Sequence, residues 1–152
     1  GYNPKFFQNG VGTQFPAYRD AYGAAGVDGV CGNWALTPKM PYPGAKEFFE
    51  GYKKMFNQEA AMGGEPAAYA SLQILEQAIQ KVGDLNREKV RDVIAKDTFD
   101  TVIGPVRFEK GVNVQWPGDI GQWQKGVYEV VMPKQFRTAA PLYPKPNWPA
   151  PK

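Results

Sequence analysis

The chain has 152 residues, of which 43% are hydrophobic, and a formal net charge of +3 at pH 7. This length allows one buried core, and the mild charge, spread along the chain, does not indicate a nucleic acid partner. With no histidine and one cysteine, Cys31, the sequence lacks the usual zinc ligand sets, the Ser-His and Cys-His nucleophile pairs and any intrachain disulfide. We therefore expect neither a metal ion nor a cofactor, and we expect Cys31 to be a small buried residue.

The first predicted element is a buried strand that runs into a glycine turn over residues 5–13. Phe6 and Phe7 suit a strand that is covered on both faces. Gly10 and Gly12 allow the backbone to bend sharply and to approach another group closely. We expect the rest of the chain to be arranged around this segment.

A parallel strand–helix–strand unit is predicted for the beginning of the chain. A helical pattern covers residues 15–22, and a glycine-rich strand lies within residues 26–34. In open α/β sheets, ligands bind just beyond the carboxyl ends of the strands. Gln8, Asn9 and Gly10 are therefore expected to face a cleft and to bind a ligand.

A nucleotide site is the familiar alternative for such a turn. Phe15 stands where the dinucleotide fingerprint that begins at Gly10 and Gly12 requires its third glycine, and a Gly-Lys-Ser/Thr sequence is absent. The glycines therefore do not favour nucleotide binding. An ordinary strand-to-helix turn without a ligand stays open as a second alternative.

The middle of the chain is predicted to be helical. After an extended connection rich in proline, a helix over residues 44–56 is expected to bury an aromatic stripe, and a second helix covers residues 65–82 and stops at Gly83. The third helix, residues 86–96, has Asn86 as its N-cap. The residues expected to be buried are Phe48, Phe49, Tyr52 and Phe56 in the first helix, Tyr69, Leu72, Leu75, Ala78, Ile79 and Val82 in the second, and Val90, Val93 and Ile94 in the third.

A β-hairpin and a proline-rich tail complete the chain. Strands over residues 120–124 and 127–131 flank the two-residue turn Lys125-Gly126, and Trp123 is predicted to be a core residue. Residues 133–152 are predicted to be an extended tail, either ordered or frayed. The hairpin and the first strands belong to one sheet while the helices need another, so we infer two incomplete lobes that lack strands.

Five motifs carry a resemblance to a known family, and the resemblance covers essentially the whole chain. They are residues 7–12 (FQNGVG), 68–83, 100–111 (DTVIGPVRFEKG), 121–124 (GQWQ) and 143–148 (YPKPNW). The chain resembles the carboxyl-terminal part of type I periplasmic binding proteins, the branched-chain amino acid receptor family of ABC importers.

The resemblance implies an α/β protein with parts of two doubly wound lobes, incomplete without its amino-terminal portion, which the same chain or a second chain would supply. By this likeness residues 1–35 belong to the second lobe, residues 36–116 with three helices to the first lobe, and residues 117–152 return to the second lobe. A periplasmic protein of this family encloses a small molecule between its lobes and delivers it, unchanged, to an ABC permease.

One position departs from the family pattern. In the amino acid receptors of this family, the position that matches Asn9 is an acidic residue, which pairs with the ligand's ammonium group. The uncharged amide of Asn9 cannot supply that negative charge. The hypothesis is a carboxylate or aromatic acid ligand, with Gln8 and Asn9 as hydrogen-bond partners and Phe15 or Trp34 as an apolar wall. Core or hinge packing is the alternative for Phe15 and Trp34.

Three other functions stay open at this stage. One is a ligand-sensing receptor of the same fold, and another is a branched-chain amino acid binder. The third is a small enzyme that uses Asp28, Glu109 or Asp119 as acid and base, although nothing in the sequence brings these carboxylates into a recognisable pair. A transport binding protein without catalysis is the function we expect.

Overall fold

The computed structural model describes residues 2–116 and 118–149, and within them the fold is mixed α/β, as the sequence predicts. The beginning of the predicted third segment, residue 117, and the last three residues of the tail lie outside the described residues. The helices are α1 (Pro16–Val27), α2 (Ala45–Phe56), α3 (Gly64–Val82) and α4 (Arg87–Lys96). The strands are β1 (Phe7–Gln8), β2 (Val30–Asn33), β3 (Thr98–Thr101), β4 (Gly104–Glu109), β5 (Val112–Asn113), β6 (Ile120–Gln124) and β7 (Val127–Met132), and a short 3-10 helix covers Lys134–Phe136.

The first sheet has the strand order β1-β2-β6-β7. β1 and β2 are parallel, with Phe7 opposite Val30, so the predicted βαβ unit is confirmed. β6 runs antiparallel to both β2 and β7. The predicted hairpin is also confirmed, because Lys125 and Gly126 have φ values of 53° and 82°, as a type I′ turn requires at both central positions.

The core of the first sheet lies where β6 and β7 pack against α1 and the connection after β2. Trp123 and Cys31 are buried, as predicted, and Val27, Val30 and Val130 are fully enclosed. Large apolar side chains from three elements thus meet on the sheet, and their removal from water stabilises this part of the chain.

Residues 5–13 form a strand followed by a turn, as predicted, but the predicted burial of the strand on both faces is wrong and the strand is short. β1 is only two residues long, and Phe6 is 53% exposed. The physical reason is that β1 lies at the edge of the sheet, where β2 is its only strand partner among the described residues. The tail lies along the free side of this edge: the backbone nitrogen of Lys145 donates to the Lys5 oxygen at 2.8 Å, and Trp148 packs edge-on against Phe7.

The second sheet, β3-β4-β5, is antiparallel and packs against α3 and α4. Its core contains Ile74, Ala78, Val90, Phe99 and Val106. α3 ends and α4 begins at the capping residues that the sequence predicts. Gly83, with φ 77°, ends α3, and the Asn86 side chain accepts hydrogen bonds from the first turn of α4.

The predicted buried faces of α2 and α3 are partly wrong. Tyr69, Leu72 and Leu75 of α3 are 46%, 65% and 42% exposed, and Phe56 of α2 is also exposed. Ala78 is buried, as predicted, and the other buried residues of α3 are Pro66, Ala70 and Ile74. Apolar side chains lie on more than one side of α3: α4 and β3 pack against one side and Phe48 of α2 contacts Tyr69, whereas Leu72 and Leu75 stay exposed. Within residues 2–116 and 118–149, no helix is both long and apolar enough to cross a membrane.

Candidate functional site

The carboxyl ends of β1 and β2 meet at one edge of the first sheet because the two strands are parallel. At this edge the Gln8 side-chain nitrogen Nε2 donates a hydrogen bond to the Asn33 oxygen Oδ1 at 2.9 Å. The Asn9 backbone nitrogen continues the pairing by donating to the Cys31 oxygen at 3.2 Å. Gln8, Asn9 and Asn33 therefore form an exposed group of neutral amides at the position where ligands of α/β sheets bind.

The turn after β1 is held by short-range hydrogen bonds. The Asn9 oxygen Oδ1 accepts from the Gly10 backbone nitrogen at 2.8 Å, and the Thr13 hydroxyl donates to the Gly10 oxygen at 3.2 Å. Gly12 has a φ of 115°, which a residue with a side chain rarely adopts. Within the described part of the chain the Asn9 nitrogen Nδ2 makes no hydrogen bond, so it is available to donate to a ligand.

Trp34 directly follows Asn33, the last residue of β2. It is 40% exposed, and its ring lies 6.1 Å from that of Trp116 at an interplanar angle of 53°. Gly63 packs against it so closely that a Cβ there would come within 2.7 Å of the Trp34 atom Cε3. Trp34 is thus a partly exposed aromatic residue held between Trp116 and Gly63, and residue 63 must be small to leave room for its ring.

Asp119 lies beside the same edge, because β6 begins next to it and Ile120 pairs with Asn33. Its carboxyl group is buried, with 8% of the residue exposed, and its oxygen Oδ1 accepts from the Ala35 backbone nitrogen at 2.7 Å. Burial raises the pKa of Asp119, although the Ala35 hydrogen bond and the Trp116 side chain oppose the rise. Asp119 therefore ties the segment after β2 to the start of β6.

Phe15 lies apart from these residues. It precedes α1, is 36% exposed, and lines a groove of about 570 Å³ between the start of α1 and the end of α2, together with Arg19, Lys53 and Glu59. The structure therefore brings Gln8, Asn9 and Gly10 together and places Trp34 beside Asn33, whereas Phe15 faces this other groove.

The sequence reasoning missed Asn33, and it named Asp119 only as a candidate acid or base of an enzyme, not as a residue at this edge. The signal for Asn33 was available, since it is the last residue of a strand predicted to run parallel to the first, and such strands end at the same edge. Asp119 gave no local signal, because it reaches the edge only through the pairing of β6 with β2.

The carboxylates that an enzyme would need are not brought together. The Asp28 oxygen Oδ1 accepts from the Lys125 backbone nitrogen at the hairpin, Glu109 pairs with Arg107 on β4, and Asp119 is buried near β2. Among the residues that the structure describes, no cluster of three or more His, Cys, Asp or Glu side chains is placed to hold a metal ion.

Comparison with solved structures shows the same fold in three bacterial proteins. The chain is 24% identical to a leucine binding protein, LivK, from Thermotoga maritima MSB8, with a TM-score of 0.64 over 82% of this chain and 36% of that chain. A protein from Silicibacter pomeroyi, assigned as a branched-chain amino acid ABC transporter, is 18% identical to this chain. Its TM-score is 0.70 over 90% of this chain and 40% of that chain. A protein from Rhodospirillum rubrum with the same assignment is 21% identical to this chain, with a TM-score of 0.61 over 82% of this chain and 36% of that chain.

The chain thus spans 36% to 40% of the length of these structures. At such identities they show the fold alone. A family model described as periplasmic binding protein matches residues 1–126, which is most of the chain. The chain therefore belongs to the periplasmic binding protein family.

Proposed function

We propose that this chain is the carboxyl-terminal part of an extracytoplasmic solute-binding component of an ABC importer. It encloses a small organic ligand between two lobes and delivers it, chemically unchanged, to a membrane permease from the periplasm. Family membership and the assignments of two similar structures to ABC transport support this function. The separate positions of Asp28, Glu109 and Asp119 support binding without catalysis.

We base the proposed division into lobes on the two sheets. The first sheet draws its strands from residues 1–35 and from the segment after residue 117, and we assign both to the second lobe. Residues 36–116 contain α2, α3, α4 and the second sheet, and we assign them to the first lobe. In this arrangement the edge with Gln8, Asn9 and Asn33 lies next to both connections between the lobes.

The ligand that we propose is a carboxylate or an aromatic acid rather than an ordinary amino acid. The observation that carries this choice is the neutral amide group, in which Asn9 has a nitrogen free to donate to a carboxylate. Trp34, which follows Asn33 in the chain and is 40% exposed, is the residue that we assign as an apolar wall. Asp119 is a poor partner for an ammonium group, because it is buried and burial raises its pKa.

Calorimetry on the full-length protein tests the ligand class, with benzoate and phenylacetate compared against leucine, isoleucine and valine. We expect the acids to bind, and Asn9→Asp to weaken them by at least tenfold because it places a second negative charge against the carboxylate. Asn113→Asp, on β5 of the other sheet, is the matched control and should leave the affinity unchanged. Tight leucine binding without binding of either acid would reject the proposed class.

A branched-chain amino acid is the second candidate ligand, favoured by the leucine binding protein among the similar structures. The same titration separates the two. If leucine is the ligand, Asn9→Asp should strengthen its binding, since the new carboxylate would pair with the ammonium group. Turnover of any ligand during the titration would contradict both candidates.

The exposed apolar face of α3 supports a further part of the proposal, namely that a preceding segment, on the same chain or on a second one, completes the first lobe. Tyr69, Leu72 and Leu75 lie on this face. In the full-length protein Leu72→Asp should lower the free energy of unfolding by about 2 to 3 kcal/mol. The control Leu85→Asp, in the exposed α3–α4 turn, should change it by less than about 0.5 kcal/mol.

Urea unfolding of the two variants gives this comparison directly, and a native mass spectrum reports whether a companion chain is present. Equal losses for Leu72→Asp and Leu85→Asp would show that nothing covers the face of α3. That outcome would leave the ligand titration above unaffected, so the two parts of the proposal fail separately.

A further inference from the structure

An ion pair joins α1 to the segment between α2 and α3. The Arg19 nitrogen Nη1 donates to the Glu59 oxygen Oε2 at 3.0 Å. By the division into lobes proposed above, on which this step rests, Arg19 belongs to the second lobe and Glu59 to the first. We propose that the pair is a latch, which holds the two lobes in the ligand-enclosing arrangement and breaks when they open.

Arg19 is directed towards Glu59 by contacts within its own lobe. Its nitrogen Nε donates to the Asp20 oxygen Oδ1 at 2.9 Å, and its guanidinium carbon lies 5.8 Å from the centre of the Trp123 ring. The Trp123 ring is itself fixed by its bond to Thr13. A guanidinium that is already held on two sides loses little side-chain freedom when a third group binds it, which favours the pair with Glu59.

The latch stands in a cleft that is otherwise open. A groove of about 620 Å³ lies on one side of the pair and the groove of about 570 Å³ on the other, and Arg19 and Glu59 line both. Each groove has α1 on one side and α2 or the segment after it on the other. The ion pair therefore bridges the space that the two proposed lobes would close.

Other contacts between the proposed lobes lie close to the connections that join them. The Leu36 backbone nitrogen donates to the Met62 oxygen at 3.0 Å. Near the second connection, the Asp119 oxygen Oδ1 accepts from the Ala35 backbone nitrogen at 2.7 Å. These two bonds tie the connections together, so we take this region as the pivot about which the lobes move.

The latch lies away from this pivot. Arg19 stands beside Trp123, which is four residues after Asp119 and thus about 13 Å from it along an extended strand. A rotation of about 20° at this distance separates two groups by roughly 4 to 5 Å, which breaks an ion pair. Because the pair forms only when α1 and the segment after α2 are close, its free energy favours the closed arrangement.

One other ion pair among the described residues, Lys39 with Glu129, joins the connection after β2 to β7. Ala35 and Met40, on either side of Lys39 in the chain, are buried in the core of the first sheet. We therefore expect this pair to stay with the second lobe when the lobes move. The bond between Arg19 and Glu59 is the ionic contact that should respond to closure.

The first test measures the separation of the lobes without any ligand. Nitroxide labels on Ala21→Cys of α1 and Lys54→Cys of α2, both exposed positions, report the distance by pulsed EPR in the full-length protein without other accessible cysteines. Cys31 is buried and should take no label. Glu59→Gln should lower the ratio of the shorter to the longer distance about two- to fivefold, the ordinary effect of a partly solvated ion pair.

Glu109→Gln is the matched control, because Glu109 pairs with Arg107 within β4 of the first lobe. It should leave the ratio of the two distances unchanged. A second pair of labels, on Lys54→Cys and Ala95→Cys, lies within the first lobe and should give the same distance in every variant.

The second test is affinity, with benzoate, phenylacetate and leucine as probes. Each probe that binds the wild type should bind Glu59→Gln about two- to fivefold more weakly, through faster dissociation, because fewer molecules are held closed. The difference should disappear at about 0.5 M NaCl, which screens the pair. Arg19→Gln combined with Glu59→Gln should bind no more weakly than Arg19→Gln alone, as expected of two groups that act through each other.

A distance ratio that stays the same or rises in Glu59→Gln would overturn the latch. Equal changes in Glu59→Gln and Glu109→Gln, or additive losses of affinity in the double variant, would overturn it as well. Failure of all three probes to bind would count against the transport proposal, and the label distances, measured without ligand, would still decide this one.

Discussion

The indole nitrogen of Trp123 donates a hydrogen bond to the main-chain oxygen of Thr13 over 2.6 Å. This bond joins β6 to the turn that follows β1, across 110 positions of sequence. Both partners are buried, so the Thr13 oxygen has no access to water if the indole is removed. The turn beside the candidate site is thus held by the core of the first sheet.

Trp123→Phe should therefore lower the free energy of unfolding by about 1 to 3 kcal/mol, since it leaves a buried carbonyl without a partner. Urea unfolding checks this value. Trp34→Phe is the matched control: its indole nitrogen makes no hydrogen bond in the described part of the chain, and the ring is partly exposed. Equal losses in the two variants would show that the Trp123 bond contributes nothing.

Gly32→Ala should destabilise the protein by about 1 to 3 kcal/mol through overpacking. A Cβ at this position would lie 2.4 Å from the Thr13 hydroxyl oxygen and 2.7 Å from that of Tyr128, both in the core. Gly51→Ala should instead stabilise α2 by roughly 0.5 to 1 kcal/mol, because nothing lies within 4 Å of its Cβ position. Thermal unfolding of the two variants should give shifts of opposite sign.

Glu129→Gln should destabilise the protein at pH 7 by an amount that shrinks in acid. Burial raises the pKa of Glu129, but the hydrogen bonds that Lys39 and Thr138 donate lower this pKa by more than burial raises it. The pKa of Glu129 therefore lies below its usual value. A lowered folded pKa gives stability that is present above the unfolded pKa of about 4.3 and is lost as the pH falls through the folded pKa. A difference from the wild type that stays constant between pH 7 and pH 3 would contradict this account.

Asp119→Asn should show the opposite dependence on pH. Burial raises the pKa of Asp119, so its contribution to stability is present below the unfolded pKa and is lost as the pH rises through the folded pKa. Asparagine keeps the oxygen that accepts from the Ala35 nitrogen and carries no charge. The stability of the variant relative to the wild type should therefore rise from pH 3 to pH 7 in urea titrations, and a fall over this range would show that burial of the charge is not the main effect.

Asn86→Ala should cost about 1 kcal/mol, the usual effect of losing an N-cap. The Asn86 oxygen accepts from the backbone nitrogens of Glu88 and Lys89, both at 3.1 Å. Asn86→Asp keeps an acceptor in the same place and should retain most of the stability in the same urea assay. If alanine and aspartate behave alike, the side-chain oxygen is not what begins α4.

Local features were predictable from the sequence because the residues that decide them lie within a few positions. A side-chain oxygen starts α4 at Asn86, and backbone preference ends α3 at Gly83 and forms the turn at Lys125-Gly126. The parallel βαβ unit followed from the order of its elements. The same rule placed Gln8 and Asn9 at the carboxyl end of a strand.

Tertiary structure alone decided which apolar surfaces are covered and which polar groups meet. Leu72 and Ile74 are equally apolar in the sequence, yet only Ile74 finds a partner, because β3 and α4 pack against one side of α3. Likewise, the bond between Gln8 and Asn33 and the burial of Asp119 depend on strand pairing between distant segments. Periodicity reports that a face is apolar, but burial depends on what the rest of the chain brings to that face.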